Sequence, residues 1–441
     1  MRSLPGETRR RWSDALTLAA TGALAGLAAG CPPSFDGPYP CQSGFASCTN
    51  PQENKCETDV TIDALNCGMC GNACPVGGAC MGTACGPTAA LQLATLGQSQ
   101  SQQETLLVND TAVFWYGSLN GESGVVSVPI AGGTPTIVAT DLMCEGPNAF
   151  AVDDNNLYYV SNGSGAGSGQ GGPGNDVGLV EVPLAGGLSP TVLIANSNGG
   201  VGCPVLAVDA TNVYALTQIA QAGGPNVTEL VDVPIAGGAP TTLAMSSSYS
   251  SSVLVITPTD AIVQVTNNNG PYSYAAIPIA GGPPVPVPVS GDTPGGSVFA
   301  ADGTNIYTVG SGCSCGNDGN NGNNGNNGQN SGGPPTGEVV MLPIGGGAPT
   351  ILAQVTGLAS SIAVDSGNVY WSTDTAVWKV PIAGGQGALP VAGNLTSGTP
   401  GYQCTGCGSS PAGVTFIAVD VTSVYIADYA PSVDAILKVP K

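Results

Sequence analysis

The segment Ala207-Val208-Asp209-Ala210-Thr211-Asn212-Val213-Tyr214, followed after one further apolar run by Val233-Pro234-Ile235-Ala236-Gly237-Gly238-Ala239-Pro240-Thr241, decides the fold. Each half reads as a β-hairpin. In the first half, Asx side chains bond to the backbone two residues on and tolerate left-handed geometry, and apolar β-branched residues flank the turn on both sides. In the second, Gly237-Gly238 supplies positive φ for a tight turn. Pro234 removes a ladder donor, so its strand ends there or lies towards the sheet periphery. Two hairpins make four short strands, A to D, and no amphipathic helical span interrupts them.

Both halves recur in strict alternation. The first returns at Asp153-Asn156-Tyr158, Asp302-Asn305-Tyr307, Asp365-Asn368-Tyr370 and Asp420-Ser423-Tyr425, with degenerate copies at Asn109 and Thr257. The second is marked by Pro129, Pro183, Pro234, Pro278, Pro343, Pro381 and Pro440. Tandem four-stranded units bury their faces against one another and remove open edges by closing into a ring, which predicts an all-β, seven-bladed β-propeller. A β-sandwich or a solenoid is the alternative. The seventh unit stops at strand C, Ile436 to Pro440. The missing strand is at the other end: Gly86-Pro87-Thr88-Ala89-Ala90-Leu91-Gln92-Leu93-Ala94 matches the Gly-x-Pro-Thr-x-Leu-Ala strand, so residues 88 to 95 are predicted to close the ring. The propeller then spans residues 87–441.

Composition narrows the function. The 441 residues include 67 Gly and 36 Pro, no His, 29 acidic and 8 basic residues. The low charge and high β-branched content suit a many-turned all-β protein rather than general disorder. Without imidazole there is no Ser-His or Cys-His nucleophile and no His-ligated metal. Arg2, Arg9, Arg10 and Arg11 precede residue 12, and the remaining cations are Lys55, Lys379, Lys438 and Lys441. From residue 31 onward, 27 acids face these 4 lysines, a net charge of −23. Such a chain has no cationic surface for nucleic acid.

Residues 1–30 read as a signal peptide: a basic start, then a short Ala/Leu/Gly/Thr run from Ala15 to Gly30 that is brief for a membrane span. Leu27-Ala28-Ala29-Gly30-Cys31 resembles a bacterial lipobox, which implies acylation of Cys31 and attachment to the membrane through the acyl chain alone. Thr8-Arg9-Arg10-Arg11-Trp12 resembles a twin-arginine export motif. Pro32, where such lipoproteins carry Asp for inner-membrane retention, points to the outer membrane or cell surface.

Fifteen cysteines, less Cys31, leave an even set for pairing in an oxidising compartment. Eight crowd into residues 31–86: Cys41, Cys48, Cys56, Cys67, Cys70, Cys74, Cys80 and Cys85. So few large apolar residues accompany them that this segment needs covalent staples, and it is predicted to be a small disulfide-rich, lipid-anchored module serving as a stalk. The Cys67-x-x-Cys70 spacing also admits a zinc or redox reading, but lacks the helical context of a redox motif. Asn66-Cys67-Gly68-Met69-Cys70-Gly71-Asn72-Ala73-Cys74 resembles Cys-rich modules of exported myxobacterial proteins, a likeness that brings no activity. Val369-Tyr370-Trp371-Ser372-Thr373-Asp374 resembles YWTD-type propellers of lipoprotein receptors and related bacterial propellers; those usually have six blades, and only one repeat here carries Tyr-Trp.

In a propeller the D-to-A and B-to-C connections share one rim. All the long insertions, Ser161 to Gly178, Gly310 to Gly337 and Gly393 to Pro411, fall there. So do Cys144 and Cys203, expected to pair because each precedes strand A of adjacent blades, and Cys313, Cys315, Cys404 and Cys407, which could pair within or between loops or hold a metal. Variation grafted on one face of a uniform scaffold marks a binding face; drift in solvent-exposed loops is the alternative. The repeated Asp residues sit at one equivalent turn per blade and are expected to be structural. The Asn/Gly run 320–328 lacks the carboxylates of a calcium loop, and Gly167 to Gly172 satisfies GxGxxG without opening a helix. The sequence therefore predicts a cell-envelope lipoprotein whose propeller binds an unidentified protein or glycan without catalysis and without a cofactor. The alternative is an exported propeller enzyme, a lyase or glycosidase, using acidic residues or a metal on that rim.

Overall fold

The computed structural model places residues 41–441 in one unit. It describes residues 41–48, 56–74, 78–81, 84–85, 90–96, 105–144, 148–162, 178–186, 190–195, 203–219, 224, 226–266, 273–287, 298–310, 336–356, 359–373, 376–385, 387–393, 395, 415–428 and 434–441. Among these there is no helix, and seven four-stranded antiparallel sheets follow one another in chain order.

Blade one comprises Leu106–Val108, Ala112–Leu119, Glu122–Pro129 and Thr136–Ala139, in the order A to D. Blade two is Phe150–Val152, Asn156–Val160, Gly178–Pro183 and Thr191–Ala195; blade three is Val205–Val208, Asn212–Ile219, Val227–Pro234 and Thr241–Ser246. Blade four is Tyr249–Ile256, Asp260–Val265, Ser273–Pro278 and Val285–Val287; blade five is Phe299–Ala301, Asn305–Gly310, Thr336–Pro343 and Thr350–Thr356. Blade six is Ser361–Val364, Asn368–Ser372, Val377–Pro381 and Leu389–Ala392. Blade seven takes Thr415–Val419, Ser423–Asp428 and Ala435–Pro440 from the C-terminal end and Leu91–Thr95 from the N-terminal side. In every blade the repeated proline is the last residue of strand C, where its missing N–H costs no ladder bond.

The closing strand has the place that the sequence assigns to it. Ala435 faces Thr95, Ile436 faces Ala94, Leu437 faces Gln92 and Lys438 faces Leu91. The register slips by one residue between Ile436 and Leu437, three to four residues before the proline. Blades one, two, three, five and six carry the same bulge at the same distance from theirs. Strand A of each blade touches strand A of the next, and the strand A of blade seven touches that of blade one, so the ring is complete.

Apolar clusters fill the joints between blades. The residue after the strand-C proline packs across the joint: Ile130 with Tyr425, Leu184 with Phe114, Ile235 with Tyr158, Ile279 with Tyr214, Ile344 with Ile262 and Ile382 with Tyr307 belong to common clusters. At the remaining joint the post-proline residue is Lys441, whose ammonium lies 5.2 Å from the Tyr370 ring centre and pairs with Asp365.

The Cys-rich segment forms two short hairpins, Phe45–Ala46 with Thr58–Asp59 and Cys80–Met81 with Ala84–Cys85. Four disulfides staple it: Cys41–Cys56, Cys48–Cys70, Cys67–Cys80 and Cys74–Cys85. Cys67 and Cys70 therefore bond to different partners rather than to each other. The sulfurs of Cys67, Cys74 and Cys85 lie within 4.8 Å of one another, but all three are in disulfides. The segment lies against the propeller rather than standing clear as a stalk. A Cβ placed on Gly393, just beyond strand D of blade six, would fall 2.1 Å from Ala64 Cβ and 3.1 Å from the Gly78 carbonyl oxygen. Gly393→Val is accordingly expected to lift the module off this flank; limited proteolysis should then cut between residues 74 and 90 at least about tenfold faster, while the propeller transition moves little.

Candidate functional site

The repeated aspartates show which acids are structural. Asp209 Oδ1 accepts from the backbone N–H of Thr211 at 2.7 Å and of Asn212 at 2.8 Å, while Oδ2 accepts from the Tyr214 hydroxyl at 2.8 Å. Asp153 with Tyr158, Asp302 with Tyr307, Asp365 with Tyr370 and Asp420 with Tyr425 repeat this geometry. The two degenerate blades lose both partners together. Asn109 and Thr257 still accept from the turn N–H groups, and the tyrosine position holds Phe114 and Ile262. A tyrosine hydroxyl is present only where a carboxylate receives it, since a buried O–H without an acceptor is costly. Burial pushes the Asp209, Asp302 and Asp420 carboxyls up, but the turn N–H groups and the tyrosine hydroxyl outweigh it and hold all three below the usual carboxylate range. Groups so engaged are poor acid–base catalysts.

On the insertion rim, Cys144 is bonded to Cys203, joining the connections that lead into blades two and three. Beside it Asp141 accepts from the Tyr159 hydroxyl at 2.6 Å and from the Ser161 hydroxyl, and Leu142 forms a bridge with Ser161. Asn148, in left-handed geometry at φ 57°, accepts from the Leu206 N–H at 2.8 Å and donates through its own N–H to the Thr105 hydroxyl. The inner strands of blades one, two and three are thus knitted at this rim by polar contacts and one disulfide. Cys31, Cys313, Cys315, Cys404 and Cys407, the signal segment and most of the three long insertions lie outside the described residues.

Sequence reading finds no pair of carboxylates on this rim; the structure places two aspartates there, at the facing ends of one hairpin. Asp428 ends strand B of blade seven and is fully buried; Asp434, at φ 42°, precedes strand C of the same hairpin, and its carboxyl is pushed up by burial. Their six-residue separation across a predicted hairpin is a signal that could have found them. Asp434 also receives, at its carbonyl oxygen, the Leu96 N–H at 3.0 Å, which ties the closing strand to this hairpin.

The opposite rim, uniform in sequence, carries a cavity of about 370 Å³ between blades one and two. Phe114, Ser127, Thr136, Val138, Val182 and Leu184 are among its lining residues, none of which is charged.

No protein-family model matches the chain, and neither does any curated protein. Solved structures do match over most of its length. A puromycin-hydrolysing peptidase of Mycobacterium tuberculosis is 13% identical with a TM-score of 0.49; the match covers 79% of this chain and 53% of the peptidase, so the chain spans about half the length of that protein. An oligogalacturonate lyase in complex with manganese is 13% identical, with a TM-score of 0.46 over 75% of this chain and 86% of the lyase. The β-propeller domain of the trilobed protease of Pyrococcus furiosus is 10% identical, with a TM-score of 0.41 over 77% of this chain and 96% of that domain.

Proposed function

We propose that the protein is an exported cell-envelope lipoprotein, anchored through acylated Cys31 and presenting its propeller as a non-enzymatic scaffold that binds a protein or glycan on the insertion rim. In this reading residues 1–30 are removed as the signal, residues 31–86 attach the propeller to the anchor, and residues 87–441 carry the binding face. The observation that supports it most is the contrast between the rims: the repeated acids are bound in turns, whereas the insertions and the Cys144–Cys203 disulfide gather on the other side. The five disulfides among the described residues suit an oxidising compartment outside the cytoplasm.

Feeding producing cells a palmitate analogue and measuring the intact mass of the mature protein tests the anchor. Label on Cys31 with no free thiol among the other fourteen cysteines is the expected result, and a soluble, unlabelled product overturns it. The second reading is a lyase or glycosidase, for which Asp428 and Asp434, at the facing ends of one rim hairpin, are the candidate acids. Turnover of a bound glycan that is lost in Asp434→Asn would establish the enzyme in place of the scaffold.

A further inference from the structure

The joints between blades are built to one plan, and two of them hold a lysine ammonium over an aromatic ring. At the joint of blades seven and one, strand-C Lys438 faces strand-B Tyr425. Its Nζ lies 5.6 Å from the Tyr425 ring centre and donates to the carbonyl oxygen of Ile130, the post-proline residue of blade one, at 2.9 Å. Lys441 sits over Tyr370 at the joint of blades six and seven.

At the joint of blades one and two the same positions hold Phe114, Ser127 and Leu184. Phe114 faces Ser127 as Tyr425 faces Lys438, and Leu184 follows Pro183 as Ile130 follows Pro129. Serine ends where a lysine side chain would continue, and the space beyond it is the cavity of about 370 Å³. That volume lies near the lower end of the range for small-ligand pockets, about 300–1,000 Å³.

We propose that this cavity is a binding site for a primary alkylammonium group, seated where the Lys438 ammonium sits at the related joint. The ammonium lies over the Phe114 ring, whose negative face attracts cations, and donates to the Leu184 carbonyl oxygen. Hydroxyls of Thr111, Ser127 and Thr136 supply further acceptors, and the methylenes run along Ile137, Val138 and Val182. The lining carries no cation to repel the ligand, and a mature chain of net charge −23 draws cations towards it. The site is on the rim opposite the insertions and is independent of the binding face proposed above.

The test uses the full mature chain, followed by protein-observed NMR at the Val138 and Val182 methyls during titration with cadaverine, Nα-acetyl-lysine methylamide or 1-pentanol. Both amines are expected to bind with dissociation constants on the order of 1 mM, and pentanol about tenfold more weakly. Binding of cadaverine alone identifies a free diamine as the source, and binding of the lysine derivative alone identifies a protein side chain. Ser127→Lys and Ser127→Met introduce the residues that blades seven and five carry at this position, and each should weaken amine binding at least about tenfold. Pentanol binding as tightly as the amines, undiminished binding to Ser127→Lys, or no amine binding to the unaltered chain would overturn the proposal.

Discussion

Deletion of residues 87–96 is expected to abolish cooperative unfolding. Leu93, Ala94 and Leu96 are buried in one cluster with Trp115, Val126 and Val128 of blade one and Tyr425, Ala427 and Ile436 of blade seven. The deletion therefore empties a joint on two sides. Burying a leucine is worth about 1.5–3 kcal/mol, so the two leucines alone contribute on the order of 5 kcal/mol, comparable with the whole net stability of many domains. It also exposes the Ala435–Pro440 strand as an unpaired edge, inviting association. Circular dichroism should show a broad or multiphasic melt at a lower midpoint, together with concentration-dependent aggregation. A single transition at an unchanged midpoint would contradict the closed ring.

The second large effect is expected at a repeated turn. Asp209→Ala leaves the N–H groups of Thr211 and Asn212 and the Tyr214 hydroxyl without their acceptor, and should cost roughly 2–4 kcal/mol. Tyr214→Phe removes only the hydroxyl and should cost about 1 kcal/mol. The double variant should cost less than the sum, because the two residues share one contact. Asp209→Asn should be milder than Asp209→Ala, since Asn109 already serves the same turn in blade one beside Phe114.

The pH dependence has a definite sign. The Asp209 carboxyl is held below its ordinary value, so its stabilisation is complete above the unfolded value of about 3.9 and is lost as pH falls through the lower folded value. The difference between the native chain and Asp209→Ala, read from denaturant midpoints, should be flat near neutrality and shrink below about pH 4. Asp232 works the other way. Burial, and then the Asp209 charge, push its carboxyl up, so removing Asp209 relieves part of that penalty and keeps the loss towards the lower end of the range.

Repetition made most of the fold legible. The proline at the end of strand C and the turn of the first hairpin appear seven times in some form and the paired glycines six times, so each copy corrects the others. The orphan strand at residues 91–95 could be matched to its missing place for the same reason. Pairing of Cys144 with Cys203 followed from equivalent positions in adjacent blades, whereas eight crowded cysteines allow 105 connectivities and no repeat to choose among them. The tyrosine five residues after each Asp was visible, but its bond back to the carboxylate depends on how the A-to-B turn folds over strand B. Gly393 gave no sign of the module packed on it, because a loop glycine reads alike whether it is crowded or free. The cavity beside Ser127 escaped notice because it comes from what that residue lacks relative to Lys438, and the comparison needs the strands in register.

The closed seven-bladed ring underlies both the contrast between rims and the comparison between joints, and amide hydrogen exchange in the intact chain tests it most directly. The amides of the Leu91–Thr95 strand bonded to the Ala435–Pro440 strand should exchange only through global opening, with the same free energy as the central strands of blades one to six. Fast exchange at residues 91–95 while those strands stay protected would show that the N-terminal strand does not close the ring.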